Sequence, residues 1–385
     1  MKMKKKIKYK PRIAVDARPL SYGLTGNSRY LFESLKYLIR EDSRFEYYLY
    51  SNKEIHPIFI PFLEEKKVII KIFPITGILW LNIIIPFLII KDNIDIFWGT
   101  LQLLPYFKLK IPGLVNYHDL NFISAPHTMS RANLIQHRFF SPKSIINADQ
   151  IFCLSKNTQR EIAEFNPSVT KKLKLIYPGV MRKPALSKEK LNLFAGKIPS
   201  PYLFSLGTLE PRKNISTILS AYLQIKSENS NFEYNLVLAG RKGWGEEELT
   251  SKLLSGELEK MGIYFFENPE DDFLQYLLQN TVLFLFPSLH EGFGLPILEA
   301  LIEQKVCIVS DIPIFKEIIE EGIDICVSPK DINSWKDAIL KLTKNQINLK
   351  RKKIWDENKW SWILTASNLE NSFLLHWHKH WNKEK

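Results

Sequence analysis

The chain has 385 residues, 45% hydrophobic and 24% charged, an ordinary globular composition but more than one core usually holds, so two domains are expected. Its net charge of +12 comes with a large excess of lysine over arginine and abundant isoleucine and asparagine, a bias that AT-rich coding produces as readily as selection for a polyanionic partner. No element carries the arginine stripe of a nucleic-acid reader, so an anionic lipid surface or a phosphorylated substrate suits the charge better than nucleic acid.

Three scattered cysteines, Cys153, Cys307 and Cys326, sit in or beside apolar strand-like runs and read as buried free thiols of a reducing compartment. The basic start, Met1 to Lys6, is followed by charges from Arg12 to Arg18 where a secretion signal needs its apolar core. The longest apolar run, Ile78 to Ile90, spans thirteen residues and contains Asn82 and Pro86, short of the ~20 that a bilayer crossing needs. A cytoplasmic protein is expected, soluble or peripheral on the inner face of the membrane.

In chain order, residues 13–16 read as the first strand. Gly23-Leu24-Thr25-Gly26-Asn27 follows as a turn, before a helix over 28–39 with Tyr30, Leu31, Leu35 and Leu38 on one face. This is half a nucleotide-binding unit without the Gly-x-Gly-x-x-Gly fingerprint. Gly26 reads as a turn glycine. Strands predicted at 45–50, 68–73, 94–97 and 114–117 alternate with helical pattern or loop, which argues for a parallel, doubly wound sheet whose ligand crevice lies at the strand C-termini. His118-Asp119 follows such a strand end; the histidine can bond a ligand hydroxyl or share a proton, or it can simply pack there, and Asp119 reads as structural. A strand at 151–154, a cap over Ser155 to Thr158 and a helix at 158–165 come next. The stretch Leu173-Lys174-Leu175-Ile176-Tyr177-Pro178-Gly179-Val180 follows, and the polar stretch 181–200 reads as the linker.

The second half repeats the logic. A strand over 202–207 leads into Thr208-Leu209-Glu210-Pro211-Arg212-Lys213-Asn214, a turn that caps a helix over 215–225. Arg212 and Lys213 then project at a helix N-terminus, where a planar fork and a point charge suit a diphosphate; a solvated charge pair is the plainer alternative. Strands at 236–240 and 263–266 and a helix at 272–279 follow. Glu270-Asp271-Asp272 opens that helix, where acids are favoured by the helix dipole, and no metal is expected there.

The chain is organised around residues 288–300. A buried strand over 282–286 enters a turn at Glu291-Gly292-Phe293-Gly294, and Pro296 fits the first helical position, so the free N–H groups of the first turn face the crevice. Glu291 lies in the loop. Glu299 points from the first helical turn, placed to accept hydrogen bonds from a vicinal diol such as a ribose. The alternative leaves Glu299 complementing the helix dipole and Glu291 as a loop residue.

Glu291 to Glu299, Glu-Gly-Phe-Gly-Leu-Pro-x-x-Glu, resembles the motif of two glutamates with seven residues between them in the retaining GT-B glycosyltransferases of the large family 4. Glu210-Pro-Arg-Lys-Asn214, His118-Asp119, Gly240-Arg-Lys-Gly243 and the terminal Trp360-Ser-Trp362 with Thr365-Ala366 extend the resemblance from about Arg12 to Ala366. One departure is Glu303-Gln304-Lys305, where family members commonly carry a glycine before the next strand and turn, here Val306 to Pro313.

The resemblance implies an α/β GT-B fold, two Rossmann-like doubly wound domains facing a central cleft. Residues 1–185 would bind the acceptor and 186–365 the nucleotide sugar, with 366–385 a helix or tail returning to the first domain. It implies retaining transfer of a hexose from a nucleotide-diphospho-sugar to a saccharide or lipid-linked saccharide in cell-surface polysaccharide synthesis, with neither metal nor cofactor. Glu291 and His118 would be catalytic. Gly26, Arg212, Lys213, Phe293, Gly294, Leu295 and Glu299 would hold the donor. Of these, Glu299 takes the ribose, the backbone after Gly292 the sugar and diphosphate, and the cations the diphosphate. The motif combination is most similar to bacterial mannosyltransferases, so GDP-mannose is the leading donor. A UDP-sugar-dependent glucosyl or N-acetylglucosaminyl transferase of the same fold is the alternative, and a non-enzymatic basic binding protein a remote one. The basic N-terminus fits an anionic membrane surface, and no nucleic acid is expected. His376-Trp377-His378-Lys379-His380-Trp381 suits a membrane interface or packing. Only His376 and His380 share a helical face, which speaks against a metal site.

Overall fold

Short runs of branched and aromatic residues alternate with helices along the chain, and in the computed structural model these runs form two parallel sheets whose central strands are buried on both faces. The structure describes residues 9–344 and 359–382. The described residues of Met1–Leu120, Arg131–Gly179 and Asn358–Lys385 form one compact unit, and those of Asn121–Ser130 and Val180–Glu357 a second. The first unit therefore gives way to the second after Gly179, and among the described residues it takes up the chain again from Lys359. The lysine-rich stretch Met1 to Lys6 lies outside the described residues.

The first unit holds seven strands: β1 (Arg12–Asp16), β2 (Glu46–Ser51), β3 (Ile69–Ile72), β4 (Ile96–Gly99), β5 (Gly113–Tyr117), β6 (Gln150–Cys153) and β7 (Leu173–Leu175), in the order β3-β2-β1-β4-β5-β6-β7. β1 pairs with β4 in register Ala14 to Phe97, and the winding reverses there, which opens a crevice at the strand C-termini. Helix α1 (Gly26–Leu38) starts at a capping box: the Ser28 N–H donates to Thr25 Oγ1 and the Thr25 N–H to Ser28 Oγ at 2.7 Å. Its face of Tyr30, Leu31, Leu35 and Leu38 is buried as the spacing predicts. The helical turns Gly77–Leu79, Trp80–Ile84 and Ile85–Lys91 run on as α2, residues 77–91. The middle piece is a π turn; Pro86 just beyond it has no N–H to give, and the wider turn absorbs that break. Next come α3 (Arg131–Asn147) and α4 (Lys156–Phe165), the latter capped by Ser155, whose hydroxyl accepts from the Thr158 N–H at 3.0 Å. A long final helix, Trp362–Trp381, also belongs here, with Phe373 packed against Trp98, Phe45 and Phe152.

The second unit holds β8 (Tyr202–Leu206), β9 (Asn235–Gly240), β10 (Ile263–Glu267), β11 (Leu283–Phe286), β12 (Val306–Ser310) and β13 (Ile325–Val327), in the order β10-β9-β8-β11-β12-β13. The switch of direction falls between β8 and β11. Helix α5 (Ile215–Glu228) follows β8 and α6 (Leu295–Ile302) follows β11. Ile218, Tyr222 and Ile225 of α5 join Leu203, Leu236, Leu285 and Ile308 of the strands in one core. The expected linker contains a helix, Lys188–Ala195, capped by Ser187 and anchored by Phe194 against Phe273 and Tyr276. Its single buried residue gives too little apolar pattern to reveal it in the sequence. Among the described residues, no helix is long and apolar enough to cross a membrane.

Candidate functional site

β8 and β11 lie side by side at the switch of the second sheet, and the turns that leave them are tied together. Asn214, in the left-handed conformation at φ 53°, donates from Nδ2 to Pro287 O at 3.0 Å and to Pro329 O at 2.6 Å. The Leu289 N–H donates to Arg212 O at 2.8 Å. These bonds bring Arg212 and Lys213 against Glu291. The guanidinium reaches Glu291 Oε2 at 2.8 Å, Glu210 Oε1 at 2.6 Å and His290 O at 3.0 Å. The Lys213 ammonium bonds Glu291 Oε1, which also accepts from Ser288 Oγ at 2.8 Å, and it lies 5.0 Å from the Phe286 ring centre.

Glu291 is 8% exposed. Burial alone pushes its carboxyl up, but Arg212 and Lys213 overcome that and hold it at about 2. Burial, opposed by Glu291 and reinforced by Arg212, pulls Lys213 below the usual lysine range. The sequence reading places both cations as projecting groups; the structure turns them onto two carboxylates, Glu210 and Glu291, so the cluster carries no net charge. Ser288, Glu210 and Asn214 are the partners that reading missed. Asn214 stands in the quoted Glu-Pro-Arg-Lys-Asn motif, and Ser288 sits three residues before Glu291, the only local signals of their part.

Gly294 caps α6 at φ 101°, a conformation costly to any side chain, and a Cβ there would meet Phe315 Cε1 at 3.0 Å. The helix starts at Leu295, which puts Pro296 at its second position and Glu299 at its fifth. Glu299 is thus one residue deeper than expected, and the first turn holds no acidic residue, which leaves the helix dipole little hold on it. Helical side chains lean toward the N-terminus, so the half-buried Glu299 still leans over the turn of Leu295. Phe293 is buried. No side chain caps α6.

Gly26 and His118 lie in the first unit. Gly26 is the first residue of α1; its φ is not positive and a Cβ would find open space, so nothing in the chain itself requires glycine there. His118 follows β5, half-buried. Its Nε2 is 2.9 Å from Thr100 O; a carbonyl only accepts, so Nε2 carries the proton and Nδ1 is the acceptor. Burial lowers its pKa against the pull of Thr100 O and Asp119, which keeps the ring neutral. At the end of β1, Arg18 grips the buried Asp16 with Nε at 2.8 Å and Nη2 at 2.6 Å. In the sequence this pair is visible as Asp-x-Arg at a strand end.

Among the described residues, no three His, Cys, Asp or Glu side chains gather as a metal would need. Asp271 pairs with Lys183 at 2.8 Å, and Asp272 with Lys190.

Residues 191–361 match the family described as Glycosyl transferases group 1. The chain is 36% identical over 129 residues to the serotype-specific mannosyltransferase WbdA of Escherichia coli, a match covering 34% of this chain and 16% of that protein. It is 28% identical over 271 residues to O-antigen chain mannosyltransferase B of Escherichia coli, covering 69% and 66%. To O-antigen chain mannosyltransferase RfbU of Salmonella typhimurium it is 27% identical over 227 residues, covering 58% and 59%. The matched part thus spans about one sixth of WbdA and less than two thirds of the other two. Among solved structures it superposes on Anabaena Alr3699/HepE in complex with UDP and glucose with a TM-score of 0.71 at 16% identity, covering 95% of this chain and 99% of that one. A glycosyltransferase from Rickettsia africae gives 0.70 at 17%, covering 95% and 98%. At such identities the likeness establishes the fold, two Rossmann-like domains of the GT-B kind.

Proposed function

The chain carries a glycosyl transferases group 1 domain over residues 191–361, and on that premise we propose that it is a retaining glycosyltransferase moving mannose from GDP-mannose to a saccharide or lipid-linked saccharide. On this reading it works at the cytoplasmic face of the membrane, in cell-surface polysaccharide synthesis. The observation that carries the proposal is the buried Arg212–Lys213–Glu291 cluster beside the N-terminus of α6. Mannose is favoured because WbdA, mannosyltransferase B and RfbU are mannosyltransferases by name.

In this mechanism the donor diphosphate meets Arg212, Lys213 and the backbone of Phe293, Gly294 and Leu295, while Glu299 accepts from the ribose diol. The anomeric carbon–oxygen bond to the diphosphate breaks, and the acceptor oxygen bonds the same face. The acceptor's proton passes to the departing phosphate oxygen. The protein's main contribution is fixed charge and dipole placed where charge develops. Glu291, ionised at any working pH, holds both cations in orientation and stabilises the positive sugar. His118 accepts a substrate hydroxyl through Nδ1. Two fixed cations take the place of a metal.

The test is transfer by the full chain, in the presence of chelator, from GDP-mannose, UDP-glucose or UDP-N-acetylglucosamine to a polyprenyl-diphosphate-linked saccharide. The anomer is then read by NMR. Release of GDP with an α-linked product is expected. An inverted product, or activity lost to the chelator, would contradict the mechanism; activity with a UDP-sugar alone would keep the mechanism and replace the donor.

A further inference from the structure

The first unit exposes an apolar surface that its own packing does not explain. On α2, the buried side takes Trp80, Ile85, Leu88 and Ile89. The opposite side presents Leu79, Ile83, Phe87 and Ile90, spaced four, four and three residues apart, each with more than half of its surface in water. On α3, Ile135 and Phe139 are equally exposed, one turn apart. The loop between β4 and β5 joins the two stripes. The Tyr106 N–H donates to Asn82 Oδ1 of α2 at 2.6 Å, and the Tyr106 ring stacks on Phe139 of α3 at 5.9 Å. Beside it Phe107 is 78% exposed. The result is a continuous apolar face built from two helices and a loop, larger than the scattered apolar residues normal on soluble proteins.

Its charge says what would cover it. Residues 77–91, 101–112 and 131–147 carry six lysines and arginines and not one aspartate or glutamate, in a chain with 41 acidic residues. Lys91 lies 5.7 Å from the Phe87 ring centre and Lys143 5.6 Å from that of Tyr106, so cations fringe the apolar groups directly. The neighbouring Asp149 is taken up by Lys108 at 3.0 Å and by the Gly113 N–H. Lys108 and Lys110 also border a cavity of about 300 Å³ lined by His376, Lys379 and His380 of the last helix. An apolar stripe with a wholly basic margin matches the boundary of an anionic bilayer, where side chains enter the acyl region and lysines meet phosphates. An apolar protein partner has no need of a margin free of acids. A face of this kind lies on a membrane rather than crossing it.

We propose that the face formed by α2, residues 106–107 and α3 is a docking surface for an anionic phospholipid membrane. This moves the membrane contact away from the lysine-rich N-terminus, and it stands apart from the donor chemistry because its test uses no nucleotide. The full chain is sedimented with vesicles of phosphatidylcholine alone and with phosphatidylglycerol added. Binding to the anionic vesicles only is expected. The pair Phe87→Glu and Phe139→Glu should lower partitioning about tenfold or more, with circular dichroism and unfolding midpoint unchanged. Lys108→Glu with Lys110→Glu should weaken binding and flatten its salt dependence. Unchanged partitioning of both pairs, or no binding by the wild type, would overturn the proposal. So would a dimer in sedimentation velocity that Phe87→Glu dissociates while vesicles are ignored.

Discussion

At the end of β11 a buried carboxylate sits between two cations, and at the end of β5 a half-buried imidazole is held neutral by a carbonyl and by burial. Both positions follow a parallel strand, and the same burial disfavours charge at each. The difference is compensation. Glu291 stays charged because Arg212 and Lys213 are tied to it through the turns, whereas His118 has only the Thr100 carbonyl and Asp119 to draw it toward the charged form. One strand end is therefore equipped to act on charge and the other on hydrogen bonds.

The largest effect that sharpens this contrast is expected from Arg212→Ala combined with Lys213→Ala. Transfer should fall by about 10³-fold, the scale of losing fixed charge at a transition state, while Glu291→Gln added to the pair should recover stability but not activity. A loss of only a fewfold would show that the two cations do not carry the transition-state charge. Next, Glu291→Ala should lower kcat by about 10²-fold with nucleotide affinity little changed. Glu299→Ala should instead weaken nucleotide binding by about tenfold, the loss of about 1.4 kcal/mol. Calorimetry with the free nucleotide separates them, and equal binding losses in both would sink the division of roles.

The two ends should also differ in acid. Glu291 is depressed in the folded state, so its stabilisation is whole above the ordinary value of 4.5 and is lost as pH falls toward about 2. His118 is depressed as well, so the folded state begins to lose stability as pH falls below the ordinary 6.5. Denaturant unfolding against pH should show Glu291→Gln flattening the lower window and His118→Gln the upper; exchange of the two windows would contradict the assignment. The smallest effect is expected from Gly294→Ala, about 1–2 kcal/mol of stability from the left-handed backbone, read as a lowered unfolding midpoint.

The strands were legible because parallel sheets bury both faces and leave uninterrupted apolar runs, and 282–286 against the observed Leu283–Phe286 shows how closely. Spacing also placed Glu291 in a loop before a helix. What stayed hidden was pairing across distance. Lys213 and Glu291 are 78 residues apart, and no local pattern announces that one neutralises the other. Glu299 lies one residue deeper than the spacing implies because Leu295, and not Pro296, takes the first helical position. The length of the run from Ile78 to Ile90 speaks only to a bilayer crossing; which of its residues face water depends on Trp80 and Leu88 turning inward, a fact of packing.

A nucleotide-diphosphate site in the second unit is tested most directly by a thermal-shift panel of GDP, UDP, ADP and dTDP, each with chelator and with magnesium. A ligand that binds only the folded state raises its unfolding midpoint. A rise with GDP is expected that the chelator leaves intact and that Glu299→Ala reduces. No rise with any of the four nucleotides would contradict such a site.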